Sequence, residues 1–338
     1  MTAFHLPLHL NGNSDPRSRR RPAPGCGVQS PPPRFHRIAV LLVGLVLLSS
    51  MVIAGCNKDR AGGPRPQQQV FRLGLVPEQS MFKQVHRYEP LAEYLSRRLN
   101  RNVILSVLPG YDKALSSFAA KELDGAFLGS MVYILAHARF GVEAIVRPEN
   151  PDGTSSYYGV LFVRKDSNIR SVREMKGKRL ALVDRNTLAG YLLPLAYFKK
   201  NGVDYATYLG ESYFAGTHED VIHDVLDRKA DIGAAKSTVL TQLAAEDARV
   251  KNDLLILART PLLPEGCLAV RRGLDATVKE QLRSVLLNMQ DDREWAGILQ
   301  EFKARRFIET KDSDFSSVYV YARELDVDLY EGHDAGVR

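Results

Sequence analysis

The chain has 338 residues, of which 45% are hydrophobic and 25% are charged, as in a globular protein with room for two domains or a two-lobed unit. Most of its formal net charge of +7 comes from the first 55 residues, where six arginines against a single acid, Asp15, give +5. The remaining charge of +2, together with the lack of a basic stripe that has aromatic residues interleaved with it, argues against a nucleic-acid-binding protein.

The N-terminal region has the pattern of a targeting segment. An uncharged run, "IAVLLVGLVLLSSMVIA", spans residues 38–54, follows Arg34 and Arg37, and ends just before Gly55-Cys56. A basic flank, an apolar core and small residues before a cut site are typical of a bacterial signal peptide. A transmembrane anchor is the alternative, since the run is nearly long enough to span a bilayer.

The tetrad Ile53-Ala54-Gly55-Cys56 resembles a lipobox, in which the cysteine is lipidated and becomes the new N-terminus. We therefore predict a signal peptide over residues 1–55, a lipid on Cys56 and a flexible tether over residues 56–69. Lipidation would hold the folded part on the periplasmic side of a bacterial membrane.

Cysteine usage agrees with this assignment. Cys26 lies in the leader and Cys56 would carry the lipid, so only Cys267 remains in the folded part. That part can form neither an intrachain disulfide nor a cysteine metal cluster, and we predict no metal and no cofactor.

From Val70 onward, short apolar runs alternate with helical periodicity. The predicted strands are "VFRLGLV", "NVILSVL", "DGAFLG", "VEAIVR", "YYGVLFVRKDS", "KRLALVD", "ADIGAA", "DLLILAR" and "CLAVRR". The predicted helices span residues 85–99, 111–121, 130–139, 190–201, 217–228, 236–247, 275–290, 294–303 and 314–324. This succession predicts an α/β fold with mostly parallel sheets and helices on both faces.

Two α/β halves joined by long strands predict two lobes about a hinge. We place the chain crossings near Phe162–Asp166 and Leu257–Pro261, which gives lobe 1 residues 70–163 plus 259–338 and lobe 2 residues 164–258. A cleft between lobes is a preferred ligand site.

Tyrosines stand where the walls of such a cleft are expected. Tyr111 follows Pro109-Gly110 and opens a helix, so its ring can wall a pocket and its hydroxyl can donate to an anion, or the ring can pack on the lobe surface. Tyr157 and Tyr158 begin a strand, where adjacent side chains face opposite ways. One of them is therefore expected in the core and the other in the cleft.

The segment "NTLAG", residues 186–190, joins a strand to a helix that we expect to begin near Gly190. Backbone N–H groups at a helix start have no acceptor inside the helix and therefore suit an anion. Thr187 is either the helix cap or, with the N–H groups of Leu188, Ala189 and Gly190, part of an oxyanion site.

Two further polar residues stand at helix starts. Thr217 is predicted to cap a helix, with Asp220 three residues on, which puts His218 in the first turn as either a surface residue or an oxyanion donor. Lys236 follows "ADIGAA" and is either a solvated lysine or a counter-charge for an anion.

The order of these segments resembles the substrate-binding proteins of phosphonate, phosphate and phosphite ABC importers over about residues 70–325. The resemblance is carried by "RLGLVPEQS", "YEPLAEYLSRRL", "PGYDKAL", "LDGAFLGSMVYILA", "SYYGVLFVRKDSNIRSVREMKGKRLALVD", "NTLAGYLLP", "GTHEDVIHDVLDRKADIGA" and "PLLPEG". It implies a type II periplasmic-binding-protein fold, whose two α/β lobes close on a ligand, and an ABC permease as partner.

The resemblance also implies roles for individual residues. It makes Tyr111 and Tyr157 pocket tyrosines and His218 the oxyanion histidine. The family's Ser-Thr-Ser loop corresponds to Thr187-Leu188-Ala189, where two apolar residues remove two hydroxyl donors.

Two departures indicate a ligand unlike that of aminoalkylphosphonate binders. The acidic residue that meets the ligand's amino group has no counterpart after Pro264, where only Glu265 can partly compensate, and Lys236 stands where the family commonly has a neutral or acidic residue. A charge-assisted hydrogen bond contributes roughly 1.5–3 kcal/mol against about 1 kcal/mol for a neutral one, so one lysine in the pocket would offset two lost hydroxyls. We therefore expect an anion without an ammonium group.

These features predict an extracytoplasmic solute-binding lipoprotein of an ABC importer, a monomer that binds a small oxyanion between its lobes. A ligand-sensing subunit of a membrane signalling system is the alternative. An enzyme is not predicted, because the sequence has no G-x-S-x-G elbow, Walker loop, H-E-x-x-H or dinucleotide glycine fingerprint.

Overall fold

The computed structural model describes residues 70–330, so the predicted signal peptide, the predicted lipidation site at Cys56 and the predicted tether lie outside the described residues, as do residues 331–338. The strands are β1 (Val70–Leu75), β2 (Asn102–Val107), β3 (Gly125–Leu128), β4 (Glu143–Glu149), β5 (Ser156–Tyr157), β6 (Gly159–Arg164), β7 (Arg179–Leu182), β8 (Glu211–Phe214), β9 (Ile232–Lys236), β10 (Leu254–Arg259), β11 (Leu263–Pro264), β12 (Cys267–Val270) and β13 (Arg306–Glu309).

The nine predicted helices are present with shifted ends, and two short helices, Tyr205–Tyr208 and Ala248–Asp253, were not predicted. The helices are α1 (Met81–Leu99), α2 (Tyr111–Ala119), α3 (Ser130–Phe140), α4 (Leu193–Lys200), α5 (Tyr205–Tyr208), α6 (His218–Leu226), α7 (Ser237–Glu246), α8 (Ala248–Asp253), α9 (Ala276–Leu287), α10 (Ala296–Glu301) and α11 (Ser316–Glu324). A π-helical turn, Leu188–Leu192, leads directly into α4. Within residues 70–330, no helix combines the length and apolarity needed to cross a membrane.

Two mixed sheets define the two lobes. The first has the strand order β13-β4-β12-β3-β1-β2, in which β1 pairs in parallel with β2 and β3 while β12, β4 and β13 are antiparallel to their neighbours. The second has the order β10-β6-β9-β7-β8, in which β9, β7 and β8 are parallel to one another and β6 is antiparallel to both of its neighbours, β10 and β9. The two-lobed α/β fold is confirmed, but the sheets are mixed rather than mostly parallel, because β6 and β12, which arrive from the other lobe, and β13 run antiparallel to their neighbours.

The chain changes lobes at the short pair β5 and β11, where Leu263 pairs with Tyr157. The first crossing therefore precedes Gly159 and does not fall at Phe162–Asp166, where we expected it. The reason is that β6 is buried along its whole length and pairs with β9 and β10 of the second sheet. A lobe boundary at residue 163 would cut this strand.

The first sheet is packed by helices whose apolar residues repeat at helical spacing. In α1, Leu91, Leu95 and Leu99 are buried and join a hydrophobic cluster with Leu282 and Leu286 of α9. Burying a leucine side chain contributes about 1.5–3 kcal/mol. The packing of these two helices therefore stabilises the first sheet.

The lobes contact each other across the cleft through α1. Lys83 Nζ lies 2.7 Å from Glu219 Oε1 and 2.9 Å from Glu246 Oε2, both in the second lobe. The backbone N–H of Ser80 also donates to Glu219 Oε2, at 3.0 Å. These contacts fix a closed arrangement of the two lobes.

Gly190 permits the close approach of the π-helical turn to the end of β7. A Cβ at this position would lie 2.4 Å from Cβ and Cγ2 of Val183. Gly190→Ala is expected to lower the free energy of unfolding by about 1–3 kcal/mol, because overpacking a filled site has this effect. Urea unfolding measures the change.

The matched control is Gly297→Ala in α10, where a Cβ would meet nothing within 4 Å. Because alanine favours a helix over glycine by about 1 kcal/mol, this variant is expected to be as stable as wild type or more so. Equal stability of Gly190→Ala and wild type would contradict the packing argument.

Candidate functional site

A small cavity of about 20 Å³ lies between the lobes. Its lining includes all seven residues proposed from the sequence to bind ligand. They are Tyr111, Tyr157, Thr187, Leu188, Ala189, His218 and Lys236. The fold therefore brings together residues that are as much as 125 positions apart in the chain.

Helices from both lobes begin at this cavity. Tyr111 is the first residue of α2 and Ser130 of α3 in the first lobe, and Leu188 begins the π-helical turn and His218 begins α6 in the second. The first N–H groups of a helix have no acceptor within it, and the helix dipole adds positive potential there. The convergence of these helix starts suits a negatively charged ligand.

The first backbone amides of the π-helical turn receive no side-chain cap. Thr187 Oγ1 donates to the carbonyl oxygen of Asp184 at 2.6 Å and makes no side-chain cap, so the capping role considered for Thr187 is wrong. The bond from Leu192 N to Thr187 O spans 3.2 Å and is the first of the π-helical turn. The N–H groups of residues 188–190 therefore precede the first intrahelical donor. The helix also begins two residues earlier than expected.

The side chains of the same loop form an apolar wall. Leu188 and Ala189 are 2% and 3% exposed and line the cavity, as does Val132 of α3. A wall of this kind lowers the local dielectric and strengthens the hydrogen bonds that nearby amides make. The donors of this loop are thus on its backbone.

The two predicted pocket tyrosines differ in what their hydroxyls do. The Tyr111 hydroxyl donates to Pro77 O at 3.0 Å, so the ring walls the cavity but its proton is committed to the backbone rather than to an anion. The Tyr157 hydroxyl shares a 2.8 Å hydrogen bond with Ser130 Oγ. Burial raises the pKa of Tyr157 to about 12, so the hydroxyl stays protonated. Tyr158, its neighbour, is half-buried and does not line the cavity.

His218 is buried and neutral. Thr217 caps α6, accepting from Asp220 N at 2.9 Å as predicted, and this fixes the first turn that carries the imidazole. Burial lowers the pKa of His218 to about 4. Its Nδ1 accepts from the backbone N–H of Lys236 at 3.2 Å, which assigns the proton of the neutral ring to Nε2. His218 therefore supplies one uncharged N–H donor.

Lys236 is buried between carboxylates of different segments. Its Nζ lies 2.9 Å from Glu78 Oε1, which follows β1, and 2.7 Å from Glu265 Oε2, which follows β11. The ammonium also lies 5.1 Å from the centroid of the Tyr157 ring. The side chain reaches the cavity, but its charge is already paired.

Lys236 and Glu78 each stabilise the charged form of the other. Burial alone would lower the pKa of Lys236, but the carboxylates of Glu265 and Glu78 hold it above its usual value. Burial likewise opposes ionisation of Glu78, yet Lys236 lowers the pKa of that carboxyl. Lys236 is therefore a cation balanced by the protein itself, not the free counter-charge we expected.

Sequence reasoning missed Glu78 and Ser130 as cavity residues and gave Glu265 only a minor role. Glu78 stands alone in "LVPEQS", and Ser130 is the first residue after "FLG". Both follow a strand of the first sheet, the position that already suggested Tyr111, so this signal was available. Among the described residues, no three His, Cys, Asp or Glu side chains are arranged to hold a metal ion.

The pKa of His218 predicts a pH-dependent loss of stability. The folded protein protonates this ring only near pH 4, whereas an unfolded histidine takes up its proton near pH 6.5. The unfolded state thus binds more protons between these values, and the free energy of unfolding falls as the pH drops from about 6.5 to 4. His218→Gln is expected to remove about 3 kcal/mol of this decline.

Urea unfolding at several pH values between 4 and 7 measures the difference. His86→Gln, on the exposed face of α1, is the control for the loss of a histidine. Parallel pH profiles for His218→Gln and wild type would show that the buried imidazole is not the cause.

The chain resembles known proteins in sequence and in structure. Residues 73–315 match a family model described as "ABC transporter, phosphonate, periplasmic substrate-binding protein". A probable ABC transporter phosphite binding protein of Prochlorococcus marinus (strain MIT 9301) is 24% identical over 270 residues, which cover 76% of this chain and 90% of the relative.

Two solved structures share the fold. A binding protein component of an ABC phosphonate transporter from Pseudomonas aeruginosa superposes with a TM-score of 0.72 at 21% identity, covering 80% of this chain and 91% of that one. PhnD1 of Prochlorococcus marinus (MIT 9301), in complex with methylphosphonate, gives a TM-score of 0.69 at 21% identity, covering 76% and 98%. The type II periplasmic-binding-protein fold is confirmed. Because the family model spans well over half of the chain, the protein belongs to the periplasmic substrate-binding proteins of phosphonate ABC transporters.

Proposed function

We propose that this protein binds a small tetrahedral oxyanion of the phosphonate, phosphite or phosphate class between its lobes and presents it to an ABC permease. The observation that carries the proposal is the convergence of helix starts from both lobes on one cavity, with the amides of residues 188–190 unused by the helix. The methylphosphonate held by PhnD1 of Prochlorococcus marinus supports this ligand class. The family match favours transport over the signalling alternative.

Neutral donors would bind the oxygens of the ligand. Leu188, Ala189 and His218 of the second lobe line the cavity, and the donors there are the backbone N–H groups at the start of the π-helical turn and His218 Nε2. Ser130 and Tyr157, which share a hydroxyl–hydroxyl hydrogen bond, line the same cavity. Fixed N–H donors hold an oxyanion well in a site of low dielectric, because they need no reorganisation when it arrives. Each helix start adds the equivalent of about half a positive charge.

The distribution of these donors links binding to lobe closure. Ser130 belongs to the first lobe, whereas His218 and residues 188–190 belong to the second. A ligand that accepts from both sides binds the closed state better than the open one, and it shifts the population toward closure. The closed, ligand-bound protein therefore presents a different surface from the open, empty protein.

Calorimetry with ligand-stripped Cys56→Ser protein tests the proposal. Methylphosphonate, phosphite and phosphate are titrated, with ethanesulfonate as the comparison anion. We expect binding of at least one phosphorus oxyanion, and His218→Ala should weaken it by roughly 5- to 150-fold, because the loss of a buried donor is worth about 1–3 kcal/mol.

His223→Ala is the matched control, because His223 lies on the same helix but does not line the cavity. It is expected to leave the affinity unchanged. The absence of heat with all three phosphorus oxyanions would overturn the proposal.

We also infer that a lipid on Cys56 holds the protein at the outer side of a bacterial membrane. This inference rests on the lipobox-like tetrad at residues 53–56, which lies outside the described residues. Cys56→Ser is expected to move the protein from the membrane fraction to the soluble fraction, without change in its ligand affinity. Wild-type protein that fractionates as soluble would contradict the anchor.

A further inference from the structure

The ammonium of Lys236 is held as a bound cationic ligand would be. Carboxylate oxygens of Glu78 and Glu265 lie within 2.9 Å of Nζ, and an aromatic ring, Tyr157, lies 5.1 Å away. Carboxylates with an adjacent aromatic face are the environment that proteins use to bind an ammonium group. In this chain, the lysine of the second lobe fills that environment itself.

The carboxylates are arranged for more than a simple surface ion pair. The side chains of Lys236 and Glu265 are only 8% and 4% exposed. Within the described residues, Glu265 Oε1 is buried and has no hydrogen-bond partner. A buried carboxylate demands a cation, and an oxygen without a partner still has capacity to accept.

Lys236 also lines two cavities. A second cavity of about 100 Å³ lies beside the small anion cavity and shares Glu78 and Lys236 with it. Glu265 and buried Gln79, whose Nε2 has no partner among the described residues, line the larger cavity. Because Lys236 lines both cavities, a substituent of a bound oxyanion that extended from the small cavity to the larger one would have to pass this side chain.

We propose that Lys236 replaces the ammonium of a ligand: it occupies the acidic site of Glu78 and Glu265 and thereby restricts this protein to oxyanions without a cationic substituent. This inference rests on the proposed function. The residue that determines specificity is then Lys236, although its ammonium is paired with the two glutamates and does not serve the oxyanion. An incoming ammonium would have to displace a cation that is covalently part of the protein.

Calorimetry on ligand-stripped protein tests this assignment with two ligands of similar size, 2-aminoethylphosphonate and propylphosphonate. Wild type is expected to bind propylphosphonate at least about tenfold more tightly than the amino compound, since the ammonium meets no free carboxylate. Lys236→Ala is expected to reverse this preference. It should bind 2-aminoethylphosphonate at least about 100-fold more tightly than wild type does, through two charge-assisted hydrogen bonds.

Two further variants separate charge from space. Lys236→Met removes the ammonium but keeps a long side chain between the two cavities, so its gain in affinity for 2-aminoethylphosphonate should be clearly smaller than that of Lys236→Ala. The double variant Lys236→Ala/Glu265→Gln should lose most of the gain. An equal gain of Lys236→Ala for both phosphonates would show that only space was created, and would overturn the proposal.

The wild-type measurement keeps the test decisive even if Lys236→Ala does not fold. Wild type that binds the amino compound as tightly as propylphosphonate overturns this inference and leaves the proposed function intact. Wild type that binds methylphosphonate, but neither larger compound, excludes both by lack of space rather than by charge, which overturns this inference and leaves the proposed function intact. Wild type that binds no phosphonate, phosphite or phosphate overturns the proposed function instead.

Discussion

Buried backbone N–H groups require acceptors, and this requirement governs the centre of the molecule. Helices from both lobes begin at one small cavity, and the π-helical turn at Leu188–Leu192 starts without a side-chain cap. Because Thr187 turns its hydroxyl back to Asp184, the amides that follow it remain available. A small anion between the lobes satisfies these amides and the opposing lobe at the same time.

The cluster around Lys236 controls what else the cavity can hold. An ammonium paired with both Glu78 and Glu265 adds no net positive charge for the oxyanion, so attraction comes from amides, helix dipoles and the neutral His218. The same cluster links β9 of the second lobe to segments after β1 and β11. Lys83 makes a second link between the lobes through Glu219. Lobe closure and ligand selectivity thus both depend on ion pairs between the lobes, those of Lys83 and those of Lys236.

The sequence predicted most helices and strands in order because apolar periodicity is local, but it missed the short strands β8, β11 and β13. It selected Tyr111, Thr187 and His218 because each stands at a predicted helix start, and the structure places all three in the lining of one cavity. It could not predict the hydrogen bonds of those residues. Tyr111 donates to Pro77, 34 positions away, and Lys236 pairs with Glu78, 158 positions away. Such partners are set by how the lobes pack, so the free counter-charge inferred from local sequence became a paired one. Strand direction failed for the same reason, since β6 and β12 enter their sheets from the other lobe.

A crystal structure of the mature protein with methylphosphonate tests the central claim most directly. The account predicts phosphonate oxygens within about 3.2 Å of the backbone nitrogens of residues 188–190 and of His218 Nε2, with Lys236 still paired to both glutamates. A phosphonate bound elsewhere, or one held chiefly by a Lys236 released from Glu78 and Glu265, would contradict it.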